Sequence, residues 1–479
     1  MQRRTKIIAT LGPSTDRKKV LEDVIKAGLD CARVNFSHGS FDDHRKRILD
    51  VRAKAEKAGK PIGLLCDLQG PKIRIEGFKN KSIQLRNGMM FTLDPRLGSN
   101  DGDDEIVGVT YKNLPNDVSK GDDLLLDDGN IVLRVEKVDA TIRTRVITGG
   151  ELSGNKGVNR RGGGLSTAAL TEKDYEDIRF AAEMDIDYLA VSFARDAQDI
   201  ETARRLLREA GGEGHIMAKI ERAEALENMK EIIEASDVVM IARGDLGVEV
   251  GNAELPGVQK RVIREARLRN TIVVTATQMM QSMVDSPQPT RAEVLDVANA
   301  ILDGSDVVML SAETAVGKHP ARVVAAMDRI CEGAERHMES VAPTGPKDRI
   351  FNTAEEAVAM ATMYAANRLD VAAIVTLTES GMSAKWISRL DSTTPIFAIT
   401  SSPRTQRRVT LYRGVYPIDY TIDASDYAAV DHEVVDELIR RGIVNKGDRI
   451  IITKGERAGV AGGTNTMKIL RAGDHVAEQ

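Results

Sequence analysis

The chain has 479 residues, 42% of them hydrophobic and 29% charged, with a formal net charge of -5. That length exceeds one core, so about two to four domains are expected, and the acidic balance argues against a nucleic-acid partner. Three cysteines, Cys31, Cys66 and Cys331, are too few and too scattered for a disulfide framework or a zinc site, which points to a reducing compartment.

From the N terminus, MQRRTKIIATLGP turns polar too soon for a secretory leader, and no run approaches about 18 apolar residues. A cytoplasmic chain without membrane contact is expected. Residues 5–70 carry three short β-branched runs, TKIIATLG, CARVNFSHG and IGLLCDLQG, with helical patterns between them. The rhythm resumes over residues 167–330 with YLAVSFA, HIMAKIE, VVMIARGDLG, IVVTATQM and VVMLSAETA. These eight runs are apolar, as strands buried on both faces must be. One intervening helix is predicted over RAEALENMKEIIEAS, with Ala223, Leu226, Met229 and Ile233 on one stripe. Eight strand–helix units predict an α/β fold, a TIM (β/α)8 barrel whose active site lies at the C-terminal strand ends. A doubly wound open sheet is the competing reading, because alternation alone does not count closure.

Residues 71–166 differ in texture. IVLRVEKV alternates after the turn signal DDGN, and ATIRTRVI alternates again, which predicts an inserted all-β, barrel-like lid domain on a barrel loop. RRGGGLS near its end reads as a hinge, and no GxxxxGK[ST] phosphate loop occurs. VAPTGPKD at 341–348 marks a further boundary. Beyond it EEAVAMATMYAANRL, AAIVTLTESG, PIFAIT and DRIIITKG predict a C-terminal α/β domain. The expected limits are 1–70 and 167–343 for the two parts of the barrel, 71–166 for the lid and 344–479 for the C-terminal domain.

In such a barrel the strand-end residues converge. The second run ends in Arg33, Asn35, Ser37 and His38, and the third in Asp67. Later runs supply Lys219 and Glu221, Arg243 and Asp245, Thr277, and Ser311 with Glu313. Lys219 and Glu221, two apart, share a strand face and taken alone read as a structural ion pair. Asp245 shifts that reading, since it follows Gly244, where a bend can offer backbone N–H groups to an anion. Two carboxylates from neighbouring strands suit Mg2+, and a lysine beside them suits a phosphoryl group in transfer. Lys72 and Arg74 in GPKIR, also two apart, point one way just beyond the Asp67 strand. Arg33 interrupts an apolar strand, and its guanidinium fork matches phosphate oxygens, although most arginines lie at the surface. His38, Thr277 and Ser311 taken singly read as ordinary polar residues.

RVNFSHG, GPKIR, AKIE, ARGDLGVE, TATQMMQSM and MLSAETAVGKHP resemble, in order and spacing, the motifs of the pyruvate kinase family, and the resemblance spans nearly the whole chain. It implies phosphoryl transfer from phosphoenolpyruvate to ADP, giving pyruvate and ATP at the last step of glycolysis. It implies Glu221 and Asp245 as ligands of Mg2+, for which Mn2+ can substitute. Lys219 would stabilise the phosphoryl group in flight, with Arg33 gripping the same phosphate. Backbone N–H groups of Arg243, Gly244 and Asp245, assisted by Thr277, would hold the substrate carboxylate. Thr277 and Ser311 are candidates for protonating the enolate, and Pro13, Arg33, His38 and Arg74 for holding the nucleotide. A homotetramer is also implied.

Two departures stand out. The family's potassium site matches Asn35, Ser37, Asp67 and Leu68, and potassium-requiring members carry DTKGPEIR where this chain has DLQGPKIR. Leu68 removes a hydroxyl ligand, and Lys72 puts an ammonium where relatives have an anion, so K+ is expected not to be required. Allosteric members bind a sugar phosphate through a T-x-S-G-R-S-like loop, here TESGMS from Thr378 to Ser383. Glu379 and Met382 argue against fructose 1,6-bisphosphate. Thr378, Ser380, Gly381 and Ser383 can cradle one phosphate, so a sugar monophosphate or AMP is expected. One rival is a Mg2+-dependent enolate-forming lyase or aldolase, which needs neither ADP nor lid-side arginines. The other, a catalytically silent effector-binding protein, is opposed by Lys219, Glu221, Asp245 and Thr277.

Overall fold

The computed structural model describes residues 3–338, 351–390, 392–421, 430–456 and 462–474. Eight parallel strands close into a barrel. They are β1 (Lys6–Thr10), β2 (Cys31–Asn35), β3 (Gly63–Asp67), β4 (Tyr188–Val191), β5 (His215–Ile220), β6 (Val238–Ala242), β7 (Ile272–Ala276) and β8 (Val307–Leu310). Each falls on one of the predicted runs, and strands adjacent in sequence are adjacent in the sheet, with β8 returning to β1. The open-sheet alternative is thereby excluded. The strands are buried along nearly their full length, because helices cover the outer face and side chains fill the inner one.

Two compact units divide the chain, one of Met1–Cys66, Met184–Tyr188 and Ala266–Gln479, the other of Asp67–Glu183 and Leu189–Glu265. In the second unit an inserted all-β region packs Phe91, Leu93, Leu124, Leu126 and Leu133 into its own core. Its strands form a six-stranded and a two-stranded sheet with isolated bridges, rather than one β barrel. The break falls at Gly149, between Ile142–Thr148 of the larger sheet and Gly150–Ser153 of the smaller. A Cβ there would lie 2.4 Å from the Leu85 carbonyl oxygen, so only glycine lets the chain cross so closely. The helix expected over residues 222–236 is two, Ala223–Glu227 and Met229–Ala235. Asn228 separates them and donates its side-chain N–H to the Arg195 carbonyl at 3.0 Å. The buried residues are Ala225, Met229, Ile232 and Ile233, while Ala223 and Leu226 of the expected stripe are half-buried.

In the first unit the C-terminal domain has strands β9 (Ala373–Leu377), β10 (Ile396–Thr400), β11 (Val415–Asp419), β12 (Arg449–Gly455) and β13 (Thr464–Arg471), in the order β11-β10-β9-β12-β13. All are parallel except β13. The expected boundary at 341–348, and with it the limit between residues 343 and 344, lies outside the described residues.

The N-terminal ends of the barrel strands share one device. Asp30, Asp187, Asp237 and Asp306 each stand directly before an even-numbered strand. Each carboxylate accepts the backbone N–H of the preceding odd strand: Ile7 at 2.8 Å, Leu64 at 2.9 Å, Ile216 at 2.8 Å and Val273 at 2.9 Å. Each aspartate's own N–H returns to the carbonyl of that same residue, at 3.0 to 3.1 Å. Strand pairs are thus tied at their starts, which fixes where their far ends emerge.

Asp237 illustrates the electrostatics. Burial alone would raise its pKa, but His215, the Arg204 guanidinium at 2.8 Å and the Ile216 N–H hold it down at about 2. A folded-state value below the ~3.9 of an unfolded aspartate contributes stability above about pH 4 that is lost as pH falls toward 2. Asp237→Asn should therefore lower the melting temperature at pH 7 by about 3 °C, and the gap to the parent protein should close at pH 2 in calorimetric scans.

Candidate active site

β5 alternates apolar and polar residues only at its end, where Lys219 precedes Glu221 by two positions. The Lys219 ammonium lies 2.8 Å from Glu221 Oε1 and 3.3 Å from Asp67 Oδ1 at the end of β3, and donates to Ser192 Oγ at 2.7 Å. Ser192, just beyond β4, in turn donates to the Leu68 carbonyl at 2.8 Å. The second Glu221 oxygen accepts the Phe193 N–H at 2.8 Å. Asp67 is 0% exposed and Glu221 is 2% exposed, so these charges sit in a poorly solvated place. Burial pushes the Glu221 carboxyl up; Lys219 opposes this, and the negative charges of Asp245 and Asp67 add to it. Two carboxylates thus flank Lys219, with the charge of Asp245 felt at Glu221.

Asp245 sits in the first turn of helix Arg243–Val250, which starts directly after β6. The Asp245 carboxylate thus lies at the positive end of the helix dipole, where a negative charge is favoured. Lys72, on the segment leaving β3, pairs with Asp245 Oδ1 at 2.9 Å. Beside this pair opens a cleft lined by Pro71, Lys72, Phe193, Arg222, Asp245 and Glu249 among others. Arg222 donates to Thr167 Oγ1 at 2.5 Å and to the Leu165 carbonyl at 3.3 Å. Glu249, its carboxyl pushed up to about 7 by burial, accepts the Ala223 N–H at 2.9 Å and the Asn159 amide at 3.2 Å. Between these anchors Gly162, Gly163 and Gly164 have φ of +80°, +79° and +89°, and Gly164 donates to the Glu224 carboxylate. The RGGGL run is therefore a pinned left-handed loop that only glycine adopts without strain.

In the other unit, Arg33 on β2 donates to Thr10 Oγ1 at 2.9 Å and is 7% exposed. Asn35 accepts the Ser37 N–H at 3.1 Å, while Pro13 and His38 are exposed. Thr277, after β7, has φ of +65°, an outlier for a β-branched residue, and its hydroxyl donates to the Ala276 carbonyl at 2.7 Å. Phe193 and Gln278 share this left-handed conformation, at +57° and +53°. Strain of this kind collects where a loop must aim a group at a ligand. Glu313 is a brace: its carboxylate accepts the N–H groups of Ser311 at 2.7 Å and Met280 at 3.1 Å. Arg74 engages the inserted domain, donating to the Asn155 carbonyl at 3.0 Å.

The structure thus joins Asp67, Leu68, Lys72, Lys219, Glu221 and Asp245 in one unit; the Lys219–Glu221 pair follows from their spacing, whereas the Lys219–Asp67, Ser192–Leu68 and Lys72–Asp245 contacts lie outside what sequence reasoning included. Ser192 was missed, although YLAVSFA shows the polar residue ending an apolar run. Among the described residues no three His, Cys, Asp or Glu side chains converge to hold a metal unaided. Glu221 and Asp245 nevertheless fit a hard divalent cation that takes its remaining oxygens from substrate and water, and the excess of carboxylates is the reason.

Two family models match the chain, one described as pyruvate kinase, barrel domain, over residues 2–324, the other as pyruvate kinase, alpha/beta domain, over residues 356–470. Among similar proteins, pyruvate kinase II of Salmonella typhimurium is 53% identical over 98% of both chains. The pyruvate kinase of Haemophilus influenzae is 51% identical over 95% of this chain and 96% of its own. That of Geobacillus stearothermophilus is 40% identical over 100% of this chain and 82% of its own.

The Lys72–Asp245 pair competes with any cation at Asp245. Lys72→Met should tighten Mn2+ binding to the resting protein by about fivefold, read from the free-ion signal in electron paramagnetic resonance. Unchanged or weaker binding would show that the pair does not guard the site.

Proposed function

This chain belongs to the pyruvate kinase family, a family of phosphotransferases that use a divalent metal, and from that premise we propose how its residues divide the work. Phosphoenolpyruvate and ADP are the substrates the family implies. The single observation that carries the reading is the Lys219 ammonium held between the buried Asp67 and Glu221, with Asp245 at a helix start.

Glu221 and Asp245 would hold Mg2+, which when bound supplies positive charge to the phosphoryl and enolate oxygens. The substrate carboxylate rests on the N–H groups of Arg243, Gly244 and Asp245, with Thr277 beside it. Arg33 grips the phosphate and Lys219 faces the phosphoryl group as its charge spreads over three oxygens. The bond from phosphorus to the enol oxygen breaks, and a bond to the terminal phosphate oxygen of ADP forms. The enolate then takes a proton at its methylene carbon through Thr277 or Ser311. Pro13, Arg33, His38 and Arg74 would receive the nucleotide. Asn35, Ser37, Asp67 and Leu68 line the position where relatives take potassium, and the Lys72 ammonium stands in for that ion.

The TESGMS loop follows β9, the strand from which the sheet order runs both ways, and such a switch point favours a ligand at the strand ends. Gly381 N–H donates to Thr378 Oγ1 at 3.0 Å, and Ser383 shares a 2.5 Å hydrogen bond with Thr464. These donors, with Ser380, suit one phosphate of a sugar monophosphate or AMP. Helix Arg291–Leu302 leaves Leu295 63% and Leu302 47% exposed, seven residues apart on one face, an apolar pair that suits contact with a second copy in the homotetramer the family implies. No helix of the described residues is long and apolar enough to cross a membrane, and the three cysteines are free and buried, as suits a cytoplasmic glycolytic enzyme.

In a coupled assay, phosphoenolpyruvate should be consumed only when ADP is present, and Lys219→Met should lower kcat by about a thousandfold or more. Turnover without ADP would favour the lyase. Activity in potassium-free buffer should rise by less than about tenfold on adding K+; a larger rise would refute the role given to Lys72. Glucose 6-phosphate, ribose 5-phosphate or AMP should shift the phosphoenolpyruvate saturation curve to lower concentration, and no shift with any of them would count against the TESGMS site.

A further inference from the structure

The four aspartates that tie the strand starts each carry an arginine, and the arginines differ in origin. Asp30 is paired with Arg3 at 2.7 Å and Asp237 with Arg204 at 2.8 Å, both from the barrel domain itself. Asp187 is paired with Arg407 at 3.0 Å and Asp306 with Arg389 at 2.6 Å, and both of these arginines come from the C-terminal domain. Arg389 is the C-terminal cap of helix Met382–Ser388, whose N-terminal cap is Gly381. Its two terminal nitrogens take the two Asp306 oxygens at 2.6 and 2.7 Å, and the side chains are 2% and 5% exposed. A two-pronged grip at that depth fixes direction as well as distance.

Each clamp sets a different strand pair. Arg204 and Asp237 set β5 and β6, which carry Lys219, Glu221 and the start of the Asp245 helix. Arg389 and Asp306 set β7 and β8, which end at Thr277 and Ser311. We propose that Arg389 is a positioning residue through which the C-terminal domain aligns the two strands that deliver the proton to the enolate, leaving the metal-bearing pair to the barrel's own Arg204. The inference rests on the roles given above to Thr277 and Ser311. Its physical basis is that Asp306 holds both strands at once, through Val273 N–H on β7 and its own place before β8. Four residues of β8 and five of β7 transmit a tilt at Asp306 to the far ends, because barrel strands have no free edge along which to relax.

The experiment separates proton delivery from metal binding. By reversibility, the protein supplied with pyruvate, Mg2+ and ATP in D2O exchanges the methyl protons of pyruvate, which proton NMR follows, while Mn2+ affinity is measured on the same samples by electron paramagnetic resonance. Arg389→Met should slow the exchange about tenfold or more and change Mn2+ affinity less than about twofold. Arg204→Met should do the reverse, weakening Mn2+ binding by more than it slows exchange. Arg389→Lys, which keeps the charge but cannot grip both oxygens, should fall between parent and Arg389→Met, and it serves if the methionine variant does not fold. Exchange at the parent rate in Arg389→Lys and Arg389→Met, or equal losses of exchange and Mn2+ affinity, would overturn the proposal. A parent protein that binds Mn2+ yet exchanges nothing would overturn the roles of Thr277 and Ser311, and the proposal with them.

Discussion

One ammonium organises the acids at the ends of the barrel strands. Lys219 lies against Asp67 and Glu221 in a place with almost no exposed surface, and Asp245 adds a third negative charge to the same neighbourhood. At an effective dielectric near 20, two unit charges 4 Å apart interact by about 4 kcal/mol. Such a group of acids tolerates burial only because cations are built in among them. Lys72 on Asp245 is the second of these. The balance is incomplete: three acids, Asp67, Glu221 and Asp245, face two lysines. Preorganised charge of this kind costs no rearrangement when the phosphoryl group moves.

The rest of the barrel keeps that geometry in place. Parallel strands with both faces buried need side chains of constant apolar character, which leaves polar residues only at strand ends. The aspartates before β2, β4, β6 and β8 tie strand starts in pairs, so the far ends emerge at set positions. Stability and function are separated along each strand, with fixed ion pairs at one end and adjustable ones at the other.

Much of this could be read from the sequence, for physical reasons. Runs such as VVMIA and IVVTA are legible because a doubly buried strand excludes polar residues. Glu221 and Asp245 are legible because a carboxylate ending such a run needs a partner. The identity of the partner is not, since Lys72 and Arg74, two residues apart, diverge in the structure: one meets Asp245, the other the Asn155 carbonyl. The left-handed backbone of Phe193 and Thr277 is invisible to propensity, because only tertiary packing imposes it on such side chains. The strand-heading aspartates were legible in LDCARV, IDYLAV, SDVVMI and SDVVML, and were overlooked because an aspartate before a strand also reads as a turn residue. The division of the 222–236 helix at Asn228 depended on a carbonyl more than thirty residues away.

The central claim is that Glu221 and Asp245 together await a divalent cation whose arrival displaces Lys72. Anomalous diffraction from crystals grown with Mn2+ and oxalate, a planar dianion shaped like the enolate of pyruvate, tests it directly. The account predicts one manganese peak bound by an oxygen from each carboxylate, with the Lys72 ammonium withdrawn from Asp245. A peak elsewhere, or manganese bound while the Lys72–Asp245 pair stays intact, would contradict it.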